Sequence, residues 1–215
     1  MNLVYNLLNE PYLLDYGNFY NITIENLHEF RKVIEGIKNN EYINIYEEEK
    51  IINNFEFIEN ITTFNFEDKK IINKIIKDLF LLSKSEIFLD KYYQNNIMLK
   101  NFISDLIFEY EIPLEIDDEV DFTYILKSFG IKINNEYSSY IENLINYLKL
   151  YLEVFGVDIF IFINLTQFLS NEEFNLLFDF IMKNNILIIN YDKIYMNNKI
   201  IKNQILFDND LCRIL

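Results

Sequence analysis

Val157-Asp158-Ile159-Phe160-Ile161-Phe162-Ile163-Asn164 is the stretch whose reading decides the fold. It is an apolar run rich in β-branched and aromatic residues, which reads as a strand covered on both faces, as in a parallel sheet. Gly156 ends the preceding helix, and Asn164 marks where the strand stops. After a short loop, Ser170-Asn171-Glu172-Glu173 has the spacing of a capping box, with Ser170 as N-cap and Glu173 reaching back to it. The helix it opens carries Phe174, Leu177, Phe178 and Ile181 on one face, and Asn184-Asn185 closes it in the left-handed conformation. Ile186-Leu187-Ile188-Ile189-Asn190 is then a second buried strand. Strand, crossover helix and strand of these lengths predict a right-handed βαβ unit.

In α/β sheets, ligands usually bind outside the carboxyl ends of the strands. Here those ends are Asn164-Leu165-Thr166-Gln167 and Asn190-Tyr191-Asp192. Nucleotide hydrolysis would need a glycine-rich loop whose backbone N–H groups cradle phosphates. The four glycines, Gly17, Gly36, Gly130 and Gly156, are too far apart to make one. The sheet reads as a nucleotide-binding core with its binding chemistry absent.

With 215 residues, 51% of them hydrophobic, the chain can bury a substantial core. No signal peptide is expected, because the N-terminus starts directly with an alternating strand, and no apolar run reaches membrane-spanning length. The single cysteine, Cys212, fits a reducing cytoplasm. The net charge of −15, from 34 acidic and 19 basic residues, argues against nucleic-acid binding when taken alone. A local basic stripe survives that argument, particularly where bound cations neutralise the acidic part.

Residues 1–20 read as short antiparallel strands, including Phe19-Tyr20. Thr23 is the expected cap of a helix over residues 24–37, with Leu27, Phe30, Val33, Ile34 and Ile37 on its buried side. His28 falls outside that apolar set and reads as a surface residue. Residues 42–46 and 50–58 read as strands around the acidic turn Glu47-Glu48-Glu49. From Phe66 to Tyr110 the pattern becomes helical, with Ser83-Lys84-Ser85-Glu86 as a candidate capping box and break. Lys70, Lys77, Lys84 and Lys91 recur every seven residues, with Lys69 and Lys74 beside them. In an unbroken helix they would line one face for roughly 30 Å, comparable to about one turn of duplex DNA. Such a stripe would track phosphates, with affinity falling steeply in salt; the pattern alone favours the solvated face of an amphipathic helix, its charge diluted by Asp68, Asp78 and Glu86.

Glu109 to Asp121 is the densest acidic stretch, and Pro113 prevents a regular helix through it. Clustered carboxylates on irregular backbone suit a hard cation such as Ca²⁺. Alternatively, Asp117-Asp118-Glu119 starts the next helix, where negative charge is favourable. Phe122 to Phe129 reads as a short helix closed by Gly130, then a strand Ile131-Lys132-Ile133-Asn134. A long amphipathic helix from Tyr137 to Phe155 returns the chain to the central strand, and Ile205-Leu206-Phe207 is a last strand. The aromatic stripes read as core rather than as a base-stacking platform.

Several segments together resemble a known family, the small subtype II-A CRISPR-associated adaptation protein in its short form. They are Asn6-Leu7-Leu8-Asn9-Glu10-Pro11, Ile125-Leu126-Lys127-Ser128-Phe129-Gly130-Ile131-Lys132-Ile133, Ile159-Phe160-Ile161-Phe162-Ile163-Asn164, Phe168-Leu169-Ser170-Asn171-Glu172-Glu173, residues 184–189 and Ile205-Leu206-Phe207-Asp208. The resemblance implies an α/β fold: a P-loop-NTPase-like sheet domain lacking the phosphate-binding loop (residues 1–60 and 131–215), plus an extended α-helical domain (residues 61–130). It implies a homotetrameric ring that binds ends of double-stranded DNA without sequence preference, needs Ca²⁺, has no catalytic activity and supports spacer acquisition. The integrase subunits and the guide-dependent nuclease are the implied partners, in the cytoplasm and with no membrane. The implied calcium ligands lie among Glu111, Glu115, Asp117, Asp118 and Glu119. Lys69, Lys70, Lys74 and Lys77 are the first candidates for phosphate contacts, followed by Lys127 and Lys132. Two other classes compete: a metal-dependent nuclease using the Glu109–Asp121 carboxylates, and an acidic protein-interaction scaffold that never touches DNA.

Overall fold

A computed structural model describes residues 1–5, 7–8, 10–39, 43–117, 121–136 and 139–214, with Ile43 described by its backbone only. In chain order the strands are β1 (Asn2–Tyr5), β2 (Tyr12–Leu13), β3 (Asn18–Ile24), β4 (Ile43–Glu47), β5 (Lys50–Ile51), β6 (Glu56–Ile58), β7 (Ile159–Ile163), β8 (Leu187–Asp192) and β9 (Asn203–Phe207). The helices are α1 (Leu27–Asn39), α2 (Lys69–Ser83), α3 (Leu89–Phe108), α4 (Phe122–Ser128), α5 (Tyr140–Phe155) and α6 (Asn171–Asn184). The chain is mixed α/β and divides into two compact units. Met1–Phe64 and Glu136–Leu215 form a head, and Asn65–Asn135 form a helical unit.

The head contains a parallel five-stranded sheet in the order β6-β7-β8-β3-β9 and a small antiparallel sheet in the order β2-β1-β4-β5. β7, α6 and β8 make the expected strand–helix–strand unit, with Ile159 opposite Leu187 and Ile163 opposite Tyr191. Its boundaries follow local chemistry. Gly156 (φ +66°) closes α5 in the left-handed region that a Cβ disfavours. Ser170 and Glu173 make both bonds of the capping box on α6, and Asn185 (φ 51°) ends that helix.

Alternation sends the two sides of the sheet into different layers. Ile22, Ile24, Ile159, Ile161, Leu187, Ile189 and Phe207 pack with Leu3, Tyr5, Ile45, Phe30, Val33 and Ile37 from the small sheet and α1. On the opposite side, Phe19 meets Phe174 and Phe178 of α6 edge-on, with ring centroids 5.9 and 5.8 Å apart.

The N-terminal third departs from expectation in three places. Phe19-Tyr20 belongs not to a short antiparallel strand but to β3, which runs parallel to both β8 and β9. Thr23 does not cap α1, because it continues that ladder opposite Asp192 and Leu206. Asn26 caps the helix instead: its Oδ1 accepts from the backbone N–H groups of His28 and Glu29, both at 3.1 Å. Leu27 is consequently exposed, as is His28. The predicted strand over residues 50–58 splits into β5, which closes the small sheet, and β6, which joins the large one. The expected residues Tyr42 and Tyr137 lie outside the described residues.

In the helical unit, α2 and α3 are separated at Ser83–Phe88, where the sequence suggested a break. No capping box forms there; the Ser83 hydroxyl donates to the Phe80 carbonyl, and Phe88 caps α3 without a side-chain bond. Ile131–Asn134, expected as a strand, has irregular backbone and belongs to neither sheet. Among the described residues, no helix is long and apolar enough to cross a membrane.

Candidate nucleic-acid interface

The carboxyl ends of the central strands, where a ligand would be expected, are filled by the protein's own polar groups. Asn164 takes the left-handed conformation (φ 58°), and its N–H donates to the Tyr191 carbonyl at 2.9 Å. Its Oδ1 accepts from the Lys193 N–H at 3.0 Å. Fully buried Asn190 accepts from the Leu165 N–H at 2.9 Å and donates to Asn21 Oδ1 at 2.7 Å. The Thr166 hydroxyl donates to the buried Asp192 at 2.5 Å. Burial pushes the Asp192 carboxyl above its ordinary value, and the Thr166 bond partly offsets that rise.

The link from β3 to α1 is only Glu25-Asn26, and Asn26 is committed to capping. A phosphate loop needs several successive free backbone N–H groups at such a point. Asn21 and Thr23 were not anticipated in this cluster, because residues 18–24 did not read as a central strand. The signal was available: polar residues at positions 21 and 23 alternate with Ile22 and Ile24, a period of two.

The lysines predicted to touch phosphate lie in the helical unit. Asp68 caps α2 by accepting from the Lys70 N–H at 2.7 Å. Helical spacing puts Lys70, Lys74, Lys77 and Lys84 on one face, and Lys69 about a quarter-turn away. Lys69, Lys70 and Lys77 are exposed. Lys74 is half-buried and ion-paired with Asp78 at 2.6 Å, so part of its charge is locally answered. The lysine line is not continuous as an unbroken helix would make it. α2 ends at Ser83 with Lys84 as its C-cap, while Lys91 belongs to α3. The part on one helix spans about 21 Å at 1.5 Å per residue. Lys127 is exposed in the last turn of α4, 5.6 Å from the Tyr124 ring centroid, and Lys132 is exposed on irregular backbone.

Of the acidic candidates, Glu111, Glu115 and Asp117 are exposed on backbone without helix or strand, as Pro113 requires. Asp118 and Glu119 lie outside the described residues. The carboxylates present are the oxygen donors that a hard cation takes. Among the described residues, however, no three His, Cys, Asp or Glu side chains converge to hold a metal. These three alone do not make a calcium cage. Nor does Asp117 cap α4. Asp121 does so, accepting from the Thr123 N–H at 2.8 Å and its hydroxyl at 2.5 Å. Those two bonds hold the Asp121 carboxyl below the usual carboxylate range.

A family model described as CRISPR-associated protein (Cas_Csn2) matches residues 38–211, a span that takes in both units. No curated protein matches the chain significantly.

Proposed function

The chain belongs to the type II-A CRISPR-associated Cas_Csn2 family, and on that premise we propose that it binds ends of double-stranded DNA without sequence preference, as a calcium-dependent homotetrameric ring supporting spacer acquisition. The family has a CRISPR adaptation role and is not known as a catalytic one. The observation that carries the assembly part of this reading is α3, none of whose residues is buried. Met98, Phe102 and Leu106 recur every four residues along it and stand 69%, 59% and 52% exposed. An apolar stripe of that kind in water calls for a partner surface, and a second copy supplies one with the same spacing.

Lys69, Lys70, Lys74 and Lys77, then Lys127 and Lys132, are the residues assigned to phosphate. A ring interior would concentrate their potential against the net acidic charge. Glu111, Glu115 and Asp117, joined by Asp118 and Glu119, are assigned to calcium, which would offset local carboxylate repulsion. The closed strand ends fit a head that serves as scaffold, with the sheet of a P-loop NTPase but without its phosphate loop. The integrase subunits and the guide-dependent nuclease are the proposed partners, in the cytoplasm.

The test is a gel shift with linear and closed-circular duplexes, in calcium and in chelator, across a salt series. The expected outcome is retention of linear DNA only, dependent on calcium and weakening as salt rises. Equal retention of circles would remove end recognition. Absence of binding in every condition would favour a scaffold that never touches DNA.

A further inference from the structure

The end of α2 and the first half of α3 enclose a groove of about 960 Å³, lined among others by Phe80, Lys84, Tyr92, Tyr93, Ile97 and Lys100. That volume lies within the range of sites holding ligands of nucleotide size. The aromatic groups are braced rather than loose. The Tyr92 ring meets Phe122 and Tyr93 edge-on, at centroid distances of 5.3 and 5.6 Å. The Lys84 ammonium stands 4.4 Å from the Phe80 centroid and 5.8 Å from that of Tyr92. Tyr93 is 57% exposed, and a ring so placed can still receive a stacking partner. The carboxylate among the lining residues, Asp121, is already engaged by Thr123.

Helical spacing separates this groove from the stripe assigned to self-association. Tyr92, Tyr93, Asn96, Ile97 and Lys100 share one face of α3, whereas Met98 and Phe102 lie on the other side. Aromatic faces next to ammonium groups are the chemistry that holds an unpaired base and its phosphate. A base stacked inside a duplex has no free face to offer. We propose that this groove holds the unpaired nucleotide of a frayed or tailed DNA end, with Tyr93 as the stacking platform and Lys84 and Lys100 facing the phosphate. The proposal rests on the DNA-end reading and adds to it a preference for ends that are not fully paired.

Fluorescence anisotropy at fixed salt and calcium, using the full chain, tests it with a blunt duplex and the same duplex carrying a short unpaired tail. The tail should tighten binding about tenfold, the effect of one stacked base. Tyr93→Ala should remove that gain and leave blunt-duplex affinity unchanged, and Lys84→Gln should reduce the gain. Equal affinity for blunt and tailed duplexes overturns the groove assignment while leaving end binding in place. A tail gain that survives both substitutions overturns it as well. Failure to bind either duplex overturns both readings together.

Discussion

Every residue of β8 in the head is buried, whereas no residue of α3 in the helical unit is. The two segments are both rich in apolar side chains, so composition does not separate them. What separates them is the supply of neighbours. β8 lies between β7 and β3, with alternate side chains directed into two covered layers. α3 is a single helix carrying apolar residues around much of its circumference, and a second layer inside the chain covers little of it. The head closes its own core, and the helical unit leaves surface for something else. The apolar side chains that folding leaves uncovered are concentrated on α3.

The sharpest way to break this contrast is through the head's core. Phe160, fully buried in β7, should lose about 3–5 kcal/mol on truncation to Ala, from lost transfer energy plus a residual cavity. Chemical denaturation read by circular dichroism checks this. A loss under about 1 kcal/mol would mean the head is packed far more loosely than its burial implies.

Next comes the polar closure of the strand ends. Asn190→Ala strips partners from the Leu165 N–H and from Asn21, both inside the head. Orphaned buried groups cost about 1–3 kcal/mol each, so a loss on the order of 2–6 kcal/mol is expected. Asn95→Ala, at an exposed site on α3, should stay within about 0.5 kcal/mol. Comparable losses at the two asparagines would erase the distinction between the units.

Asp192 sharpens the comparison through pH. Its folded-state carboxyl is raised above the ordinary 3.8 by burial, so the folded chain holds that proton more tightly than the unfolded one. The associated stability is complete below 3.8 and is lost as pH rises towards the folded-state value. Asp192→Asn removes this component. The melting temperature of the variant minus that of wild type should therefore grow through this window and level off above it. A difference independent of pH would mean that Asp192 is as well solvated as a surface carboxylate.

These sites differ in how they could be read from sequence. β7, α6 and β8 were legible because an uninterrupted apolar run, a capping box and a left-handed asparagine all specify the same unit. β3 was not, because Asn21 and Thr23 interrupt its apolar run, so that Phe19-Tyr20 read as the end of a short antiparallel strand and Thr23-Ile24 as the start of a helix. Asn21 is answered by Asn190 on the neighbouring strand, a tertiary fact that no local pattern carries. Thr23 read as a cap for the same reason, since a hydroxyl before an apolar-periodic run fits a helix start as well as a parallel ladder. The heptad of lysines was visible as spacing, but its continuity depended on whether Ser83–Phe88 stayed helical. The acidic stretch was visible as charge. Whether its carboxylates converge depends on irregular backbone, for which sequence offers no periodicity.

The smallest effect on stability is expected where the contrast is most exposed to test. Phe102, 59% exposed on α3, should change monomer stability by no more than about 0.5 kcal/mol when replaced by Ser, since surface substitutions away from special features rarely do more. Its effect should appear in assembly instead, because Met98, Phe102 and Leu106 form the stripe that a second copy would cover. Sedimentation velocity of Phe102→Ser against wild type at equal concentration reads this directly, with a shift towards smaller species expected. If the assembly is unchanged and the melting temperature falls as far as it does for Phe160→Ala, then Phe102 is packed within its own chain. In that case the helical unit closes its own core just as the head does, and the division of labour drawn between them fails.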